Sequence, residues 1–411
     1  MTDVFVARQP IFDRDRKLVG YELLHRSSGT ALDSGDSTTE MTPSEMTGSM
    51  MVDSLLGIGL DQLTGKVPAW INFSREPLLR HDFELLDPKK CVIELSETVE
   101  CDVETTLACQ RLTAKGFTLA LDDFVADVTQ YAPILIRARI VKLSLLGESG
   151  QQIRDHVARL ARFKVRLLAE KVEDRAMYEL CRELGFSLFQ GYYFSRPETV
   201  QRKDLPGQMA HIARLMRFAM DGVSRDGDLE REFRADPGLS LKLLKIVNSA
   251  AAGGNGIESI RHAIRMVGRE QLYRWLALLF GSAAPRGDDV RAELLLQAVE
   301  RGRFCELLAE RSGKQSVSGS LFLTGLLAGF DAILGISMPE LLQQMRLTAE
   351  VEAALLHRSG PHAPYVELAT NYADGSWGDV LDLGTRMGLT SHLAPCYSEA
   401  SAWARDLLSQ N

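Results

Sequence analysis

Residues 103–123 read VETTLACQRLTAKGFTLALDD. A helix-like stretch ends at Gly116, a usual C-cap, and runs directly into a short apolar segment, FTLALDD (117–123), that closes on two aspartates. The same two textures recur on either side. Short apolar runs are VPAWINF (67–73), CVIEL (91–95), RIVKLS (139–144), KVRLLAE (164–170) and FSLFQGYYF (186–194). Between them, QQIRDHVARLARF (151–163) and DRAMYELCRELG (174–185) carry apolar residues at helical spacing. Upstream, GYELLHR (20–26) reads as the end of a strand, and the polar stretch at 27–45 as a loop. Alternation repeated this often predicts parallel βα units, hence a barrel or an open doubly wound sheet.

The texture changes after FSRPETVQRKDLPG (194–207). LEREFRADPGLSLKLLKIVNSAAAGG reads as helix, turn at Asp236-Pro237-Gly238, helix, and ESIRHAIRMVGREQLYRWLALLFG gives two more. The expected division is an α/β domain over 1–203 and an all-α domain over 204–411. A chain of 411 residues exceeds one ordinary core, in keeping with two domains. The net charge of −8 argues against a partner, such as DNA, held by bulk positive charge. The start, MTDVFVARQP, shows no signal-peptide pattern, and no apolar stretch is long enough to span a bilayer. The six cysteines include no C-x-x-C pair and read as reduced thiols of a cytoplasmic protein.

Polar residues stand at the ends of the predicted strands. They are Glu22 in YELL, Asn72 in WINF, Glu94 in VIEL, Asp122 and Asp123 in TLALDD, Lys142 in IVKLS, Glu170 in RLLAE and Gln190 in SLFQ. Singly, each is ordinary: a strand-end acid is commonly a helix N-cap or a surface residue. Jointly they occupy the same position of different βα units, and a barrel gathers such ends on one face. That many carboxylates repel one another unless cations are present. Hard oxygen donors suit Mg²⁺ or Mn²⁺, and two such ions suit in-line attack of water on phosphorus. Arg26 and Lys142 would then neutralise phosphate oxygens.

On these residues the first half resembles the EAL domain, a barrel phosphodiesterase module for cyclic di-GMP. YELLHR (21–26) stands at the Glu-Ala-Leu-x-Arg signature, with Leu23 replacing alanine. INFS (71–74), ELSE (94–97), LALDDF (119–124), VKLS (141–144), AEKVE (169–173) and QGYYFSRP (190–197) match further family motifs in order. The resemblance implies a (β/α)8, TIM-like barrel and two Mg²⁺ or Mn²⁺ ions on Glu22, Asn72, Glu94, Asp122, Asp123 and Glu170. It further implies Lys142 and Glu170 as catalytic residues, and Gln9, Arg26 and Gln190 as contacts to the dinucleotide. Two departures stand out. FVADVTQY (124–131) puts Val125 and Asp127 where the family has glycines in a loop that Glu97 anchors, and Lys171 replaces the glycine of Ala-Glu-Gly-Val-Glu.

The second half is similar to the HDOD domain, a helical relative of the metal-dependent HD phosphohydrolases, through DPGLSLKLLKIVNSA, SIRHAIRMVG and LFLTGLLAGFDAIL. Where HD enzymes need a His-Asp pair, this chain has Ala328-Gly329, so a regulatory or partner-binding module is expected. His262, His357 and His362 read as structural residues rather than ligands. Together these readings lean toward a bacterial signalling hydrolase of cyclic di-GMP, with an unidentified signalling protein as partner of the helical half. The altered loop keeps a non-hydrolysing receptor, or a protein scaffold, as alternatives, and a homodimer stays open.

Overall fold

Eight strands close into a barrel in chain order. They are β1 (Val4–Asp13), β2 (Leu18–Ser27), β3 (Ala69–Phe73), β4 (Cys91–Leu95), β5 (Thr118–Leu121), β6 (Ile140–Ser144), β7 (Arg166–Glu170) and β8 (Leu188–Phe189). This computed structural model describes residues 4–27, 60–96, 99–124, 127–195, 207–220, 226–236, 239–240, 242–243, 259–282, 289–334, 337–343 and 347–409. The polar stretch at 28–45, Glu97, Val125 and the Pro237-Gly238 turn lie outside the described residues, as does the side chain of Arg26. Closure decides between the two sheet types that the alternation allowed.

Strand β1 is a departure from a uniformly parallel barrel, because it pairs antiparallel with both β2 and β8. The link is a tight hairpin. Asp13 Oδ1 accepts from the backbone N–H groups of Asp15 and Lys17, both at 2.9 Å, and Arg16 takes a left-handed φ of 62°. All later neighbours pair parallel. Three of the helices between them start on side-chain caps. Asp102 accepts from Thr105 N at 2.7 Å, Asp174 accepts from Met177 N at 2.8 Å, and Ser149 forms a capping box with Gln152. Run 186–194 is strand only at Leu188–Phe189. At Gly191 the backbone turns to φ 143°, where a Cβ would stand 2.3 Å from Val172 N. Only glycine fits this approach, and the chain continues into a 3₁₀ turn, Tyr192–Ser195.

Side chains alternate across a strand, so residues two apart share a face. A buried apolar cluster of Ile11, Trp70, Val92, Ala120, Ile140, Leu168 and Leu188 forms the barrel floor. Two residues along each of these strands comes a polar one: Gln9, Asn72, Glu94, Asp122, Lys142, Glu170 and Gln190. In β2 the floor position is Gly20, where a Cβ would meet the Trp70 indole, and two residues on comes Glu22. Stacked inward-facing layers of this kind are how such barrels fill. Here the second layer is a ring of eight polar side chains, one for each strand.

The chain forms two compact units that do not follow a single cut. The first comprises residues 1–196, 288–293 and 370–411, and the second 197–287 and 294–369. In the first, β1 is anchored to the chain's far end: Arg8 Nη1 donates to Ser401 Oγ at 2.7 Å and to Leu63 O at 3.2 Å. Tyr21 donates to Glu293, and Leu18 N donates to Asp289 at 3.1 Å.

In the second unit every described secondary-structure element is a helix. Helix Gln315–Leu327 stops at Ala328, and Phe330–Leu334 follows Gly329. A Cβ at Gly329 would stand 2.5 Å from Arg301 Nη2, and Arg301 Nε donates to Gly325 O at 2.8 Å. A guanidinium therefore fills the space that a side chain at 329 would need. His362 is buried, with Nδ1 3.0 Å from Thr324 Oγ1 and Nε2 3.2 Å from Ser320 Oγ. Both ring nitrogens are engaged by hydroxyls, and burial pushes its pKa down.

Candidate active site

Lys142 stands at the centre of the polar ring with its side chain fully buried. Its Nζ lies 3.1 Å from Glu22 Oε2, 2.9 Å from Glu94 Oε1, 2.8 Å from Asp122 Oδ1 and 2.9 Å from Glu170 Oε1. An ammonium has three N–H bonds and cannot align one to each of four acceptors. At most three of the four contacts can therefore be directed hydrogen bonds at once, and the ammonium is shared among the carboxylates. Asn72 Nδ2 donates to Asp122 Oδ2 at 3.1 Å. Gln190 Nε2 donates to Glu22 Oε2 at 2.7 Å and to Gln9 Oε1 at 2.8 Å.

Four carboxylates surround one ammonium, leaving an unbalanced charge of three negatives if all are ionised. Such an excess in a buried place is costly. The proton affinities record it. Burial pushes the Glu170 carboxyl up to about 8, Lys142 opposing and Asp122 and Glu22 adding to the rise. Burial drives Glu94 well above the usual carboxylate range, again against Lys142. Burial alone would lower Lys142, but Glu94, Glu22, Glu170 and Asp122 raise it well above an ordinary amine. Burial and mutual repulsion thus raise the proton affinity of Glu94 and Glu170, while the surrounding carboxylates favour the charged form of Lys142.

Among the described residues, no group of three or more His, Cys, Asp or Glu is arranged to hold a metal ion. The donor chemistry nevertheless fits hard divalent cations. It offers carboxylate and amide oxygens and an excess of negative charge. The buried Oε1 of Gln190 has no partner.

The ring thus brings together Glu22, Glu94, Asp122, Lys142 and Glu170, with Asn72, Gln9 and Gln190 joined through hydrogen bonds. Asp123 is paired with Lys171. Its backbone has φ 41°, and its Oδ2 faces Lys171 Nζ at 3.8 Å. Lys171 itself sits at φ 54°, so it keeps a left-handed backbone at the place where the resemblance expects glycine. Arg26 belongs to β2 by its backbone, opposite Phe5. Sequence reasoning missed the direct bonds of Gln190 to Gln9 and Glu22, because β1 carries no alternating apolar signal through Arg8, Gln9 and Pro10.

Two family models match parts of the chain: the EAL domain over residues 73–197 and the HDOD domain over residues 205–360. Each model matches one part of the chain, the EAL match taking in strands β4 to β8 and the HDOD match lying in the helical region. Two relatives span nearly the chain's whole length at 29% identity. One is "Uncharacterized protein YuxH" of Bacillus subtilis (strain 168), aligned over 98% of this chain and 99% of the relative. The other is "Cyclic di-GMP phosphodiesterase CdgJ" of Vibrio cholerae serotype O1, aligned over 99% and 94%. Among solved structures, "PaMucR Phosphodiesterase, c-di-GMP complex" is 19% identical with a TM-score of 0.37, over 46% of this chain and 94% of that one. A standalone EAL protein from Vibrio cholerae O395 in its c-di-GMP bound form is 22% identical with a TM-score of 0.36, over 47% and 91%. No helix among the described residues is long and apolar enough to cross a membrane.

Proposed function

We propose that the barrel binds cyclic di-GMP and hydrolyses it to the linear dinucleotide pGpG, and that the HDOD domain regulates this or binds a signalling protein. The observation that carries the reading is the ring of eight polar side chains with too few positive charges at its centre. Glu22, Asn72, Glu94, Asp122, Asp123 and Glu170 would hold Mg²⁺ or Mn²⁺, and the relative named as a cyclic di-GMP phosphodiesterase supports the substrate. When bound, the ions would supply positive charge for a water nucleophile and for the phosphate. Lys142 keeps its proton and orients the attacking water. Glu170, with its raised pKa, is suited to accept that water's proton once it is ionised. Gln9, Gln190 and Arg26 hold the dinucleotide, Gln190 through its unpartnered Oε1.

The test is direct. Full-length protein with Mn²⁺ and cyclic di-GMP should yield pGpG on chromatography, and Glu22→Ala should remove all turnover. Folded protein that gives no product under these conditions rejects hydrolysis.

One observation favours a second reading, a receptor that binds without turnover. Lys171 places an ammonium 3.8 Å from Asp123, where it competes with a cation for that carboxylate. Calorimetry would then show cyclic di-GMP binding with the ligand recovered intact. Lys171→Gly should convert such a receptor toward turnover.

A further inference from the structure

The hydrogen bonds of the polar ring have a fixed direction. Glu22 lies against Lys142 and accepts from Gln190 Nε2, so the Gln190 amide must present its NH₂ to that side. Its second N–H goes to Gln9 Oε1. The Gln9 amide is thereby fixed as well: its Oε1 faces Gln190, and its Nε2 must face the other way. There it meets the carbonyl oxygen of Asp374 at 3.4 Å, a long contact. A chain of amides thus runs from Glu22 to a backbone carbonyl contributed from near the other end of the sequence.

That carbonyl sits in a turn with little freedom. Gly375 has φ 71°, and a Cβ there would stand 2.6 Å from Leu24 Cδ1. Leu24 is two residues past Glu22 on the same face of β2 and pairs with Ala7, as Glu22 pairs with Gln9. The turn therefore rests on the next layer of the barrel above the polar ring. Behind it, Ser376 N donates to Asn371 O at 2.9 Å. The ring of Tyr372 packs on Tyr397 with centroids 4.5 Å apart and on Trp377 at 5.2 Å. The Tyr372 hydroxyl bonds the Val6 backbone, and Arg8 bonds Ser401. These contacts lock residues 370–401 onto β1, so the Asp374 carbonyl cannot drift from Gln9 without moving a buried aromatic cluster.

We propose that Gly375 is a positioning residue of the barrel site: its lack of a side chain lets the 374–375 turn seat on Leu24, and the Asp374 carbonyl then sets the Gln9 and Gln190 amides on which Glu22 rests. The EAL barrel site is on this view completed by the C-terminal segment. The effect on ligand affinity rests on the cyclic di-GMP reading above; the geometric part does not.

The experiment uses the full chain and two readouts. Side-chain amide signals of Gln9 and Gln190, assigned in glutamine-labelled protein, report the geometry with no ligand present. Titration calorimetry reports cyclic di-GMP affinity. Gly375→Ala should shift both amide signals and weaken binding about tenfold, and adding Leu24→Ala should restore part of each by vacating the space, the φ of 71° keeping the remainder of the cost. Leu24→Phe, which crowds the turn from the other side, should reproduce the loss and serves if Gly375→Ala does not fold. In a Gln9→Met background, Gly375→Ala should have no further effect on affinity. Unmoved amide signals, unchanged affinity, or full additivity with Gln9→Met would each overturn the proposal. A wild type that binds no cyclic di-GMP counts against the functional reading alone, and the amide signals then decide.

Discussion

The two units of this chain treat buried charge in opposite ways. In the helical unit, Glu306 is buried between two arginines, paired with Arg274 and with Arg303 at 2.7 Å. Glu230 is similarly shared by Arg234 at 2.7 Å and Arg261 at 2.8 Å. In the barrel, the ratio is reversed, with four carboxylates on one ammonium. A buried acid neutralised by guanidiniums that reach water marks structure. Charge left unmatched at folding, on rigid strand ends, marks a place that expects a cationic or strongly polar visitor.

Removing the ammonium at the centre of the polar ring should have the largest effect. Lys142→Met leaves Glu22, Glu94, Asp122 and Glu170 facing one another without a counter-charge. Stripping one partner from a buried ionic group costs about 3–5 kcal/mol, and the variant should lose that in urea unfolding and lose turnover entirely. Mn²⁺ should then stabilise the variant more than the wild type, because it supplies the missing charge to the folded state only. Equal stability of variant and wild type without metal would break the comparison.

The matched region gives a smaller effect of a different kind. Glu306→Gln removes the anion between Arg274 and Arg303, whose side chains are 17% and 19% exposed. Water reaches them in part, so the expected loss is about 2–3 kcal/mol, at or below the lower end for buried pairs. Mn²⁺ should not recover any of it. Metal-dependent recovery would mean that the helical unit also has a charge deficit, and the contrast would fail.

How much of this was legible beforehand follows from the same physics. The ring positions on β2 to β8 were legible because an alternating strand writes its inward face at every second residue, and each polar member ends a recognisable run. VIEL and IVKLS announce Glu94 and Lys142 in this way. The fate of residues 186–194 was not legible: Gly191 turns because Val172 N lies against it, a contact between separate βα units. Strand β1 was missed because Arg8 and Gln9 are both polar and Pro10 follows them, which interrupts the apolar pattern in mid-strand. Nothing local in residues 370–411 signals that they pack with 1–196, since the pairs responsible, such as Arg8 with Ser401, lie 393 residues apart. The family model for the EAL domain begins at residue 73 and so leaves out Gln9 and Glu22. Their place in the site rests on strand pairing, Gln9 opposite Glu22.

The finest test of the contrast is its dependence on pH. The Glu170 carboxyl titrates at about 8 in the folded chain, against an ordinary 4.5. Between those values the folded state holds a proton that the unfolded state has released. A group raised in this way contributes stability that is fully present below about 4.5 and is lost as pH rises through about 8. Metal-free protein should therefore become steadily easier to unfold from pH 5 to pH 8, and Glu170→Gln should flatten that slope. With Mn²⁺ the trend should reverse. Binding the ion requires the ionised carboxylate and expels the proton, so apparent metal affinity rises over the same interval and each binding event releases protons to the buffer. Calorimetry in two buffers of different ionisation enthalpy would count them. A count of zero would mean that the ring meets its cations already ionised, and that Lys142 alone balances it.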